Sequence, residues 1–156
     1  MKKTAYVITT INNPVSLEGY CKQINFYNHK NIDFYVVGDL KTPKKVSDYC
    51  KKLQEKYDIN ITYFNPEFLD KMVKLYNIMD MYPPNDANRR TLGMIHAYFE
   101  GYETIIVGDD DNFVTGHDFF RHHNIVGEKI EIPLIESSNG WYNVCGCLEE
   151  KNDFYF

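Results

Sequence analysis

Short β-branched apolar runs alternate with apolar stripes at helical spacing from residue 5 to residue 108, and this alternation leaves room for one kind of architecture. Ala5 to Ile11 reads as a buried strand, ended by Asn12-Asn13-Pro14. Ser16 is placed to cap a helix whose stripe is Leu17, Tyr20, Cys21, Ile24 and Tyr27. Asp33 to Gly38 is a second strand. Thr42-Pro43 then suggests a cap with proline at the first helical position, ahead of a stripe at Val46, Tyr49, Cys50, Leu53 and Tyr57. Ile59 to Phe64 is a third strand. Asn65-Pro66 repeats the cap-and-proline device before Phe68, Leu69, Met72, Val73 and Tyr76, and Pro83-Pro84 breaks that helix. A further helix is expected from about Asp86 to Glu100, stopped by Gly101. Glu103 to Gly108 is a fourth strand, with Asp109-Asp110-Asp111 at its carboxyl end.

The order β-α-β-α-β-α-α-β predicts an α/β fold, a mostly parallel sheet with helices on both faces. Such folds bind ligands outside the carboxyl ends of their strands. Thr9 to Asn13, Gly38 to Thr42, Phe64-Asn65 and Gly108 to Asn112 all point to that edge. Beyond Asp111 the pattern changes: Lys129 to Ile135 looks like a strand, and Trp141 to Leu148 is ambiguous. There is no repeat, low-complexity tract or linker, so 156 residues form one domain with a real core.

Charge and composition narrow the function classes. The 22 acidic residues outnumber the 17 Lys and Arg, and the resulting formal net charge of -5 argues against binding a nucleic-acid backbone, for which domains usually carry a basic patch. A site for an anionic diphosphate must then gain positive charge locally, from a metal or a few placed cations. No apolar run is long enough to span a membrane, and Met1-Lys2-Lys3 is not followed by a signal-length apolar stretch. Cys21, Cys50, Cys145 and Cys147 form no CxxC pair, and the first two fall on helix stripes as buried free thiols. A reduced, cytoplasmic protein is expected.

The chemistry concentrates in a few residues. Three adjacent carboxylates repel one another and gain nothing for folding without a cation. On an extended backbone Asp109 and Asp111 project to one side and Asp110 to the other. Two same-side carboxylates at a strand end make an oxygen site for Mg²⁺ or Mn²⁺. Arg89 and Arg90, near a helix start, offer guanidinium forks to a diphosphate. Asp39, after the second strand, can accept from a base imide or a ribose hydroxyl, and Lys41 can reach a phosphate. His96 is expected to be a packed mid-helix residue, His122-His123 to be exposed, and His117 not to be a ligand. Trp141 and Asn143, beside the turn at Ser137 to Gly140, suit a sugar or acceptor pocket, with Glu136 as a candidate base.

These residues resemble the GT-A glycosyltransferases. The matching stretches are Val7 to Pro14, Val36 to Pro43, Asn88 to Gly93, and Gly101-Tyr102-Glu103 leading to Asp109-Asp110-Asp111-Asn112. A looser similarity is to reversibly glycosylated polypeptides, the UDP-arabinopyranose mutases. The resemblance implies a Rossmann-like three-layer sandwich, short at its carboxyl end, in which Thr9, Thr10, Asn12 and Asp39 lie against the nucleotide. It maps the DXD motif onto Asp109 and Asp111. It implies a sugar transfer from a nucleoside-diphosphate sugar, most often a UDP-sugar, to a hydroxyl acceptor. A nucleotide-sugar mutase or a non-catalytic binding module are the alternatives. GT-A enzymes usually continue past the point where this sequence reaches Phe154-Tyr155-Phe156, with an acceptor site, a late histidine ligand and a catalytic carboxylate. A homo-oligomer or partner chain is one way to complete the site.

Overall fold

A computed structural model of the chain describes residues 2–78, 80–131 and 140. Glu136, Trp141, Asn143, Cys145, Cys147 and the end at Phe156 lie outside the described residues, as does most of the strand expected at 129–135. Residues 129–131 carry no regular structure.

Four strands, β1 (Thr4–Thr9), β2 (Ile32–Val37), β3 (Ile61–Phe64) and β4 (Thr104–Asp109), form a wholly parallel sheet in the order β3-β2-β1-β4. The helices α1 (Leu17–Phe26) and α2 (Lys45–Tyr57) connect the first three strands, and α3 (Pro66–Leu75) and α4 (Arg90–Phe99) lead to β4. From β1 to β3 the chain steps across the sheet one way. It then returns past β1 to place β4 on the other side. Right-handed crossovers in opposite directions put their helices on opposite faces. Accordingly Tyr6, Ile8, Phe34, Val36 and Ile106 pack with α1 and α2, while Ala5, Val7, Tyr35, Val37 and Phe64 pack with α3 and α4. Both faces are covered, so the strands read as continuous apolar runs. Burying each large aliphatic side chain contributes about 1.5–3 kcal/mol.

The aromatic excess packs into this frame. Tyr6 sits edge-on to Tyr20, Phe34 and Phe120 on the first face. On the second, His96 stands edge-on to Tyr35 and Phe64, the packed role expected of it. Cys21 and Cys50 are buried free thiols. Among the described residues no helix is long and apolar enough to cross a membrane.

Several local expectations change. Asn65 caps α3 as expected, its side chain accepting from Phe68 N at 2.8 Å. Ser16 makes no cap: its hydroxyl donates instead to Asp110 O, 2.8 Å away. Thr42-Pro43 does not open α2, which starts at Lys45; Thr42 Oγ1 donates to Thr10 O at 2.6 Å and accepts from Asp39 N at 2.7 Å. Helix α3 ends at Leu75, well before Pro83, with Asn77 left-handed at φ 54° just beyond it. The helix expected from Asp86 begins as a 3₁₀ turn, Ala87–Arg89, with Asp86 accepting from Asn88 N. Gly101, at φ 75°, follows its end. After β4 come a short helix α5 (Phe119–His122) and a 3₁₀ turn (His123–Ile125), and His123 is half-buried with Nδ1 2.9 Å from Phe119 O.

Candidate functional site

The reversal of strand order opens a crevice at the carboxyl ends of β1 and β4, where α/β sheets place their ligands. Thr9 ends β1, in register with Val37 on one side and Asp109 on the other. The crevice is about 390 Å³ and is lined by Thr9, Thr10, Gly38, Asp39, Arg89 and the three aspartates, with Asn85 to Ala87 closing one wall. That volume is within the usual size of small-molecule sites, roughly 300–1,000 Å³.

The aspartates do not follow the extended path expected of them. Asn112 N donates to Asp109 O at 3.2 Å, closing a turn directly after β4, so side-to-side alternation does not apply. Each carboxylate instead has its own surroundings. Asp110 is half-buried, with Oδ2 2.5 Å from Thr10 Oγ1. The same hydroxyl accepts from Asn12 N at 3.0 Å, so the turn after β1 and the turn after β4 are joined through Thr10. Asp109 Oδ1 lies 3.1 Å from Arg90 Nη1, the two side chains being 54% and 32% exposed. Asp111 is exposed and makes no ion pair or side-chain hydrogen bond among the described residues. The chain beyond is tied to α1: Tyr20 Oη donates to Asn112 O, and Gln23 Nε2 lies 2.8 Å from Thr115 O and 2.6 Å from His117 O.

The two arginines part company. Arg89 is 1% exposed, with Nη1 3.2 Å from Asp39 Oδ1 and Nη2 2.8 Å from Asp70 Oδ1. It is a buried clamp between β2 and α3 rather than a presented fork. Asp39 is buried too, and its carboxylate also accepts from Leu40 N at 2.7 Å and Asn85 N at 2.8 Å. Arg89 is a lining residue of the crevice, and its buried Nε has no hydrogen-bond partner among the described residues. Asn85 and Asp70 were missed in the sequence. Asn85, left-handed at φ 59°, follows Pro83-Pro84 and was readable as a turn; nothing marked Asp70 as the partner of an arginine 19 positions away.

Asn12 and Lys41 are exposed and stand outside the crevice lining. His117 is exposed. His29 pairs with Asp118 at 2.6 Å, away from the crevice. Among the described residues no three His, Cys, Asp or Glu side chains converge as a ready-made metal cage. An open Mg²⁺ or Mn²⁺ site does not need one, because these ions use one or two carboxylates and fill the rest with water and phosphate oxygens. Asp111, solvent-facing, and Asp109, held only by an exposed pair, fit that donor set.

No protein-family model matches this chain, and neither does any curated protein.

Proposed function

We propose that the chain is a metal-dependent glycosyltransferase of GT-A type, moving a sugar from a nucleoside-diphosphate sugar, a UDP-sugar first among them, to a hydroxyl acceptor. One observation carries this reading: a strand-end crevice lined by Asp109, Asp110 and Asp111 together with Asp39 and Arg89, the last residue of the 3₁₀ turn that leads into α4. Acidic oxygens on one small cleft, with the Arg90 guanidinium beside them at Asp109, suit a metal-bridged diphosphate better than either ion alone.

Asp111 and Asp109 would hold Mn²⁺ or Mg²⁺, and Asp110 positions their turn through Thr10. When bound, the cation supplies charge neutralisation for the diphosphate that leaves. Thr9 and Asp39 line the side toward base and ribose, with Asp39 fixed in place by Arg89 and two backbone amides. Arg90, half-buried beside Asp109, is the guanidinium that would reach the diphosphate side. In the transfer the acceptor oxygen bonds to the anomeric carbon, that carbon's bond to the diphosphate oxygen breaks, and the hydroxyl proton passes to a base, for which Glu136 is the candidate. Glu136, Trp141 and Asn143 are the candidates on the acceptor side.

Calorimetric titration of UDP in the presence and absence of Mn²⁺ tests the assignment. Asp111→Ala should remove most of the metal-dependent affinity. Unchanged binding in that variant, or wild-type binding indifferent to Mn²⁺, would overturn it.

A further inference from the structure

The crevice carries five aspartates, Asp39, Asp86, Asp109, Asp110 and Asp111, with Arg89 as the cation in its lining. Arg89 is already committed, one fork to Asp39 and one to Asp70. A diphosphate entering this field alone meets net repulsion. A cation entering alone meets Arg90, which already occupies Asp109 Oδ1 at 3.1 Å. The two arginine contacts differ in kind. The Arg89 pairs include a buried one, costly to break. The Arg90–Asp109 pair has both side chains substantially exposed, so it is held by only about 0–1 kcal/mol and opens readily. Arg89, one of the residues lining the crevice, is also 1% exposed, and its Nε has no hydrogen-bond partner among the described residues.

Building on the nucleotide-sugar reading, we propose that Arg90 is an exchangeable countercharge. It neutralises Asp109 while the crevice is empty, yields that carboxylate to the divalent cation, and then engages the diphosphate. Arg90 is the first residue of α4, so its backbone stays fixed while its side chain changes partner. Nucleotide binding is thereby made dependent on prior or simultaneous cation binding. The exchange also makes Arg90 oppose one ligand and favour the other, which a residue serving only as structure would not do.

The test uses the full chain and the variants Arg90→Gln and Arg90→Lys, with folding checked by thermal melting. MnCl₂ is titrated alone. UDP, GDP and ADP are then titrated at saturating Mn²⁺, and the tightest is used for comparison. Arg90→Gln should bind Mn²⁺ alone about two- to fivefold more tightly, the loss of one exposed competing pair. It should bind the nucleotide at least about tenfold more weakly, the loss of a charge-assisted bond to phosphate. Arg90→Lys should fall between the two proteins in both titrations. In ¹⁵N-labelled wild type, the Nε–H signal that Arg90→Gln removes should shift on adding Mg²⁺ and shift again on adding nucleotide. Effects of the same sign on both ligands, or an Arg90 signal indifferent to both, would overturn the exchange while leaving the nucleotide-sugar reading intact. Wild-type protein that binds none of the three nucleotides with Mn²⁺ would instead remove that reading, and the exchange with it.

Discussion

Replacing Arg89 by alanine removes a side chain that ties the turn after β2 to α3 through Asp39 and Asp70. The cost can be built from its contacts. The bond to Asp39, between side chains 1% and 8% exposed, is charge-assisted and desolvated, worth about 1.5–3 kcal/mol. The bond to Asp70 reaches a carboxylate that is 42% exposed, so solvent screening holds it to about 0–1 kcal/mol. The void left by a fully buried side chain adds roughly another 1 kcal/mol. Asp39 is not left bare, because Leu40 N and Asn85 N still donate to it at 2.7 and 2.8 Å. Together these come to about 2.5–5 kcal/mol, overlapping the range for removing one partner of a buried pair, about 3–5 kcal/mol. With a urea slope of about 2 kcal/mol/M, the unfolding midpoint should fall by about 1.3–2.5 M at unchanged slope. Arg89→Lys keeps the charge but not the two-pronged reach, and should recover about half of the loss. A midpoint shift for Arg89→Ala worth less than about 1 kcal/mol would refute the clamp.

Gly93→Ala should destabilise even though alanine is the better helix former by about 1 kcal/mol. Its new Cβ would lie 2.8 Å from both Val7 Cγ1 and Val37 Cγ2, and overpacking of that kind costs about 1–3 kcal/mol. A rise in thermal midpoint would contradict the close seat of α4 on the sheet. Burial pushes the Cys21 and Cys50 thiols up to about 12, so at pH 8 neither should be alkylated in native protein. Labelling of either, located by mass spectrometry, before unfolding would argue against that burial. Burial alone would raise the Asp118 carboxyl, but hydrogen bonds from His29 and Arg121 N outweigh it and hold it below the ordinary value. A lowered folded value means stability present above the unfolded value, about 3.9, and lost as pH falls through the folded one. Asp118→Asn should therefore be less stable than wild type at pH 7, with the gap closing below about pH 4. A gap that stays constant into acid would refute the ionic role.

The strands were legible because burial on both faces leaves a continuous apolar run, and their carboxyl ends fell within two residues of expectation. Ile59 was drawn into β3 by its hydrophobicity, but pairing begins only where Phe34 meets Ile61. Asn65 was legible as a cap because its partner, Phe68 N, is local. Ser16 and Thr42 carry the same kind of signal, yet their hydroxyls go to Asp110 and Thr10, contacts that exist only after the sheet has formed. The location of the crevice followed from topology. Its inner wiring did not. Arg89 and Arg90 are adjacent and chemically identical, and only tertiary packing buries one against Asp39 and Asp70 while leaving the other half-buried beside Asp109. The turn closed by Asn112 likewise redirected three carboxylates that an extended backbone would have alternated.

The strand order has a final consequence. β4 reaches β1 only by joining residues a hundred positions apart, Thr4 to Thr104 at one end and Thr9 to Asp109 at the other. A chain that has paired β1, β2 and β3 already owns Thr10 and Asp39, yet it has no acidic rim facing them. Long-range closures of this sort come at a high cost in chain entropy before their contacts reward it. Whatever needs both rims therefore finds them together only once β4 has docked, and a ligand that holds the two rims also fastens β4 to the rest of the sheet.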